Sequence, residues 1–426
     1  MRAEHTLKTG LVLGGGGARG AYEAGVLAYL EQELPRELGL PVHFPFLSGT
    51  SVGAINACFL AANADQPGAR IQSLIDLWRS LAVERVLRIG VGDVMRFLRA
   101  TFGKVGDERQ GGLVDPVGLE ELVMKHVAWR QIPRNLRRGL VQGLSVSATH
   151  VASGRTTVFL QLPGRALPAW TKDVHFVAEA TLIGPNHALA SAAIPILFPA
   201  VKIRNRLFVD GGLRQSVPLS PSLRMGAERV ILVSLRHEAP NKKTEPELPE
   251  GKTFASASFL AGKALNALLL DRTDADLERL RRTNALIESG VKSFGHGYFK
   301  VLEEALVPHR NQPVRYVRNL LVRPSQDFGK LASDYVRSGE FRKRARGISG
   351  SAIIRLVEGE PVDSADLGSY LLFDGGFADR LIELGRRDAR ALLPEWLQFF
   401  STQPQSVSEA LQFEQAQKDS RFVGAL

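Results

Sequence analysis

Apolar residues first gather at 10–13 and are broken by Gly14 to Gly17. Beyond the glycines, Ala21, Ala24, Val26, Leu27 and Leu30 recur at helical spacing until Pro35. The start therefore reads as strand, glycine loop and helix, closed at the proline. A second unit follows: residues 43–47 read as a strand, 48–51 as a sharp turn and 52–62 as an apolar helix. Two consecutive strand–turn–helix units predict an α/β domain on a parallel sheet.

Further on, the pattern predicts mostly helix over 67–130. It predicts strands at 140–149 and 155–162 around Ser153-Gly154, then at 207–210, and a buried one at 230–235. Residues 188–199 are small and apolar, with prolines at 195 and 199. Residues 239–251 are rich in proline and charge, which predicts a surface loop or linker. Helix is expected over 254–288 with a break near Asp271, a basic loop over 338–347, and helices over 366–393 and 394–400. The last twenty residues are polar enough to fray. There is no internal repeat.

Composition narrows the class. A chain of 426 residues, 44% hydrophobic and 23% charged, is globular and fits one or two domains. Aromatics at 7% are thin for base-stacking platforms. The single cysteine, Cys58, excludes an internal disulfide framework and a four-cysteine zinc site. Lys plus Arg is 54 against 44 for Asp plus Glu, a net of +10 that attracts polyanions, nucleic acid or an anionic membrane alike. The opening residues lack the apolar core of a secretory signal, and no apolar run is long enough to span a bilayer. The expectation is a cytoplasmic chain, peripheral at most at the inner membrane surface, with no metal site and no cofactor.

Three short motifs carry chemistry. Gly49-Thr-Ser51-Val-Gly53 has the form G-x-S-x-G between a strand and a helix, where a nucleophile elbow would expose a serine at a helix N-terminus. An ordinary N-cap serine fits the same letters. The run Gly14 to Gly20 contains G-x-G-x-x-G at Gly15, Gly17 and Gly20. A dinucleotide site would need a carboxylate at the end of the second strand, where Leu47-Ser48-Gly49-Thr50 stand. The loop serves equally as an oxyanion hole or as a plain packing turn. A serine needs a base, and none of the nine histidines lies in a convincing motif. His237 follows a strand, next to the polar linker, in a position expected to be exposed. Asp210-Gly211-Gly212 ends a strand with room for a carboxylate to approach a serine. A second Asp-Gly-Gly, Asp374 to Gly376, opens a helical pattern and reads as an N-cap.

Together, GGGGARG at 14–20, GTSVG at 49–53 and DGG at 210–212 resemble the patatin-like phospholipases in order and spacing. LVDP at 113–116 and ASAAIPILFPA at 190–200 add to the match, which covers roughly residues 8–235. The resemblance implies a three-layer α/β/α fold with a mostly parallel central sheet (FabD/lysophospholipase-like), plus a largely helical C-terminal extension. By it Ser51 is the nucleophile and Asp210 its base. Gly49 and Gly53 flank the elbow, and Gly211 and Gly212 complete the aspartate motif. The N–H groups of Gly15, Gly16 and Gly17 hold the oxyanion, while Arg19 and Gly20 support the loop or meet a phosphate. The implied reaction is hydrolysis of a phospholipid or lysophospholipid carboxylic ester, without nucleic acid as a partner. A nucleotide-binding protein and a catalytically silent lipid-binding member are the alternatives.

The division that follows is a catalytic domain over 8–235, a linker over 236–253 and a mostly helical extension over 254–426, with 357–400 returning to the catalytic domain. The stripe Phe259, Leu260, Ala264, Leu265, Leu268 and Leu269 fits a lid as well as a packed helix. Basic clusters at Arg134, Arg137 and Arg138, and at Arg342, Lys343, Arg344 and Arg346, are candidates for an anionic membrane surface, with solvated loop charge as the alternative. Oligomeric state is left open.

Overall fold

The computed structural model describes residues 7–88, 112, 114–164, 167, 176–215, 217–237, 262–264, 267, 273–295, 297–298, 301–302, 304–305, 315–359 and 365–401. Among the described residues nine strands form one sheet: β1 (Thr9–Leu13), β2 (Phe46–Thr50), β3 (Gly143–His150), β4 (Thr156–Gln161), β5 (Phe176–Ala180), β6 (Val201–Ile203), β7 (Arg206–Asp210), β8 (Arg229–Val233) and β9 (Arg318–Val322). Their order is β5-β4-β3-β2-β1-β8-β9, with β7 beside β3 and β6 beside β7. From β3 to β9 all neighbours are parallel. Strands β1, β2 and β8 are buried along their whole length, as a sheet covered on both faces requires.

Helices cover both faces and give three layers. On one side the fully buried helices Ala21–Ala28 and Val52–Ala62 lie in the larger core. Gly375–Ala391 packs on the first of them. A Cβ at Gly25 would come 2.0 Å from the Ile382 carbonyl oxygen, and one at Gly385 would come 2.2 Å from that of Tyr22. Glycine on each helix is what lets the two backbones approach this closely. On the other side, Leu219 and the helix Thr273–Phe294, through Leu277 and Leu280, close a smaller core against Val12, Phe46, Val230 and Leu232.

Local departures from the sequence reading have local causes. The first helix does not stop at Pro35; a π turn at Tyr29–Glu33 shifts the register, so the proline falls in the first turn of Leu34–Leu38. The second strand starts at Phe46 and runs through Ser48 to Thr50. The basic loop contains a short helix, Glu340–Arg344. The predicted helix over 366–393 is two, Asp366–Leu371 and Gly375–Ala391, divided where Asp374 caps the second. Strands β5, β6 and β9 and the helices Phe328–Arg337 and Gly347–Glu358 have no counterpart in that reading. Residues 238–253 of the expected linker and most of the 254–270 stripe lie outside the described residues.

Candidate active site

Strand β3 is the ruler that brings the two key residues together. It pairs with β2 up to Thr50, which lies opposite Ser147. β3 then runs three residues further, and β7 fills the vacated edge in the antiparallel direction, placing Asp210 opposite Ala148. Ser51, one residue past Thr50, therefore meets Asp210, the last residue of β7. The Ser51 hydroxyl donates to Asp210 Oδ2 at 2.6 Å.

Ser51 has φ 55° and ψ −127°, strained for any residue but glycine. The surroundings hold it there. A Cβ at Gly49 would come 2.3 Å from the Gly53 carbonyl oxygen, and one at Gly53 would come 2.5 Å from that of Leu13. The chain can pass so close to itself only as glycine. The Ser51 carbonyl accepts from Ala54 and Ile55, starting the helix Val52–Ala62, while the Ser51 N–H donates to Ser191 Oγ at 2.8 Å. Ser191 in turn donates to the Ser147 carbonyl at 2.6 Å. The elbow is thus pinned to β3 from the end of the helix Pro185–Ser191.

Asp210 is 0% exposed. Its Oδ1 accepts the Gly212 N–H at 2.7 Å, its N–H goes to the Ala193 carbonyl, and its own carbonyl accepts from Thr149. Burial pushes the carboxyl up to about 7, against the opposing pull of the Ser51 hydroxyl and the Gly212 N–H. A carboxylate in that range takes a proton at neutral pH far more readily than an exposed one. Among the described residues no histidine bonds to Ser51 or Asp210. His237 is half-buried, where exposure was expected, because a ring nitrogen lies 2.9 Å from the Pro324 carbonyl. His150 faces Ser153 Oγ, and His187 accepts from the Gly184 N–H.

The glycine loop runs alongside Ser51. A Cβ on Gly15 would lie 3.0 Å from Ser51 Cβ. The loop is pinned by Gly14 N–H on the Val233 carbonyl and Arg19 N–H on the Gly16 carbonyl, each 3.2 Å. Gly17 adopts φ 58° with its α-carbon against the Tyr370 backbone, and Gly20 abuts Val52. Of the two readings for Arg19, the geometry fits support rather than a phosphate contact. Arg19 is 3% exposed, with its side chain turned inward. It donates to Ser369 Oγ at 2.8 Å and Asp366 Oδ1 at 3.2 Å, and its guanidinium stacks 3.9 Å over Tyr370. The C-terminal segment therefore braces the loop from behind.

Several of these residues were invisible as site candidates. Ser191 falls inside the 190–200 stretch but has no motif of its own. Asn56 is the polar residue on an otherwise apolar helix, which is a signal. It donates to the Gly20 carbonyl at 3.2 Å and to Glu23 at 2.8 Å, tying elbow helix to glycine loop. Burial raises the Glu23 carboxyl to about 8. The nucleotide reading wants a carboxylate at the end of β2, where Gly49, Thr50 and Ser51 stand.

The other candidates fall elsewhere. Asp374 caps its helix through Gly376 and Phe377 N–H groups, with Tyr335 Oη at 2.6 Å and Arg344 Nε at 3.0 Å on the same carboxylate. Arg342 pairs with Glu358, and Arg346 donates to the Lys343 and Ala345 carbonyls. Arg134, Arg137 and Arg138 precede β3, at the amino edge of the sheet, opposite to Ser51. No described helix is long and apolar enough to cross a membrane.

The family model described as patatin-like phospholipase matches residues 11–223, half of the chain. The cGAMP-activated phospholipase of Pseudomonas aeruginosa is 31% identical over 209 residues, 49% of this chain and 53% of that protein. An uncharacterized NTE family protein of Mycobacterium tuberculosis is 26% identical over 281 residues, 64% of this chain and 62% of that protein. A lysophospholipase, nte1, of Aspergillus terreus is 48% identical over 56 residues, 13% of this chain and 3% of that protein. The matched region spans less than two thirds of each relative's own length.

Proposed function

Because the chain belongs to the patatin-like phospholipase family, we propose that it hydrolyses carboxylic esters of phospholipids or lysophospholipids through an acyl-serine intermediate. The observation that carries this reading is the 2.6 Å bond from the Ser51 hydroxyl to a fully buried Asp210. Ser51 Oγ attacks the ester carbonyl carbon while Asp210 Oδ2 takes its proton. The tetrahedral oxyanion lies against the N–H groups of Gly15, Gly16 and Gly17, beside the positive end of the helix Val52–Ala62. Collapse breaks the bond to the alcohol oxygen, and Asp210 returns the proton to that leaving group. Water then repeats the sequence on the acyl-serine: Asp210 takes its proton, and Ser51 leaves as the alcohol with the fatty acid released.

The strained turn supports the assignment. Its backbone holds Oγ against the carboxylate before substrate arrives, so little reorganisation is left for the reaction. Arg19 and Ser191 act as positioning residues: one braces the glycine loop, the other the Ser51 peptide. The test is a panel of diacyl phospholipid, lysophospholipid and neutral glyceride esters, assayed with the protein and with Ser51→Ala. Release of fatty acid from the phospholipids, absent in the variant, is the expected result. Equal release from Ser51→Ala would overturn the reading.

A further inference from the structure

Three described residues other than glycine have a positive φ: Ser51 at 55°, Ile196 at 73° and Arg204 at 56°. The first makes the elbow. The other two have no part in the chemistry, yet they stand over the same edge of the sheet. Ile196 is β-branched, the kind of side chain least suited to this conformation. Arg204 takes the first position of the two-residue turn between β6 and β7, which glycine ordinarily fills. Strain at both places holds a side chain outward. Ile196 is 62% exposed, an apolar group kept in water.

Strand β3 again gives the positions. Beyond Asp210 the pairing continues outward, through Phe208 opposite His150, to the Val151 N–H on the Leu207 carbonyl at 2.9 Å. Val151 and Leu207, both exposed, thus lie farther out than the candidate dyad, and the Arg204–Asn205 turn farther still. Ile196 follows Ala193, whose carbonyl accepts the Asp210 N–H. Residues 147–161 and 194–209 contain Arg155, Lys202, Arg204 and Arg206 and no Asp or Glu. Arg206 is bound by Glu179, whose carboxylate also feels the charge of Arg204. Arg155, Lys202 and Arg204 are exposed.

We propose that this face docks on an anionic phospholipid bilayer: Val151, Ile196 and Leu207 enter the headgroup boundary while Arg155, Lys202 and Arg204 meet lipid phosphates. The assignment rests on reading Ser51 as a lipid-ester nucleophile, and it deepens that reading by saying which side of the molecule receives the lipid. Apolar tips among exposed cations are what a negatively charged interface selects. An uncharged protein partner would give the cations no role. The face lies at the carboxyl edge of the sheet, so a lipid drawn from the bilayer arrives beside Ser51.

Vesicle sedimentation tests this on the Ser51→Ala protein, which leaves the lipid intact. The vesicles are phosphatidylcholine alone and an equal mixture with phosphatidylglycerol. Lys202→Ser combined with Arg204→Gly, and separately Ile196→Asn, remove the proposed contacts. Glycine and asparagine suit the positive φ, so thermal melting should show folded proteins at least as stable as the parent. Binding to mixed vesicles should fall on the order of tenfold for the charge pair, and about fivefold for Ile196→Asn. It should also weaken with added salt. Parent-like binding by both variants overturns the proposal, as does a parent that binds neither vesicle. A dimer that Ile196→Asn dissolves, with no vesicle binding, would assign the face to a second copy and overturn it too. If docking behaves as expected but the unsubstituted protein cleaves no detergent-dispersed lipid, the docking face stands and the hydrolase reading fails.

Discussion

The chain spells Asp-Gly-Gly twice, and the two copies do different work. Both aspartates are buried, and both cap a helical turn with the N–H two residues on. Asp374 goes on to bind Phe377 N–H, the Tyr335 hydroxyl and the Arg344 guanidinium, so its charge is answered on every side. Asp210 has one backbone N–H, one serine hydroxyl and, among the described residues, no cation bonded to it. The first environment stabilises a fixed carboxylate. The second leaves a carboxyl poised to exchange a proton with a single neighbour. Three letters of sequence do not decide between them; what the fold sets opposite the side chain does.

Swapping the same atom at each site separates the two. Asp210→Asn should cut kcat by roughly 10²–10⁴-fold in a folded protein. Asp374→Asn should leave turnover per folded molecule within about threefold and lower unfolding free energy by about 1–3 kcal/mol in denaturant melts. Loss of turnover at Asp374 matching that at Asp210 would break the contrast.

The pH response sharpens it. With Asp210 at about 7, kcat/KM on a soluble ester should rise with pH and level off above neutrality, because the base must be ionised. A plateau already reached near pH 5 would contradict this. Stability should run the other way. The folded state keeps a proton on Asp210 that the unfolded chain releases near the ordinary carboxylate value. That proton-linked stabilisation is therefore lost as pH climbs from about 4 through 7. Asp210→Asn escapes the loss, so its stability relative to the parent should improve between about pH 5 and 8, by on the order of 2–4 kcal/mol.

The smallest expected effect is at the brace. Ser191→Ala removes the acceptor of the Ser51 N–H, and kcat should drop about tenfold with KM little changed. A change in KM alone would mean that Ser191 does not hold the elbow.

Legibility in the sequence followed the same division between local and distant causes. Ser51, Gly49 and Gly53 could be read because an elbow is made by neighbours along the chain. Asp210 could be read because its strand and glycines are contiguous. Ser191 and Glu23 could not, since their roles come from elements far apart in sequence, and Asn56 shows only as a polar residue on an apolar helix. Arg19 had two readings until Asp366, Ser369 and Tyr370 were seen packed around it. Strand β9 is a five-residue run, RNLLV, too short for its periodicity to separate it from helix, and its pairing with β8 identifies it. Strand β5, FVAEA, is partly exposed throughout and lacks the apolar alternation that marks a strand.

The central claim is that Ser51 is the nucleophile and Asp210 the group that activates it. Mass-spectrometric mapping of a fluorophosphonate adduct tests it most directly, in the unsubstituted protein and in Asp210→Asn at neutral pH. The account predicts one adduct, on the peptide carrying Ser51, formed at least a hundredfold more slowly in the variant. An adduct on another serine, or equal labelling of Ser51 in both proteins, would contradict it.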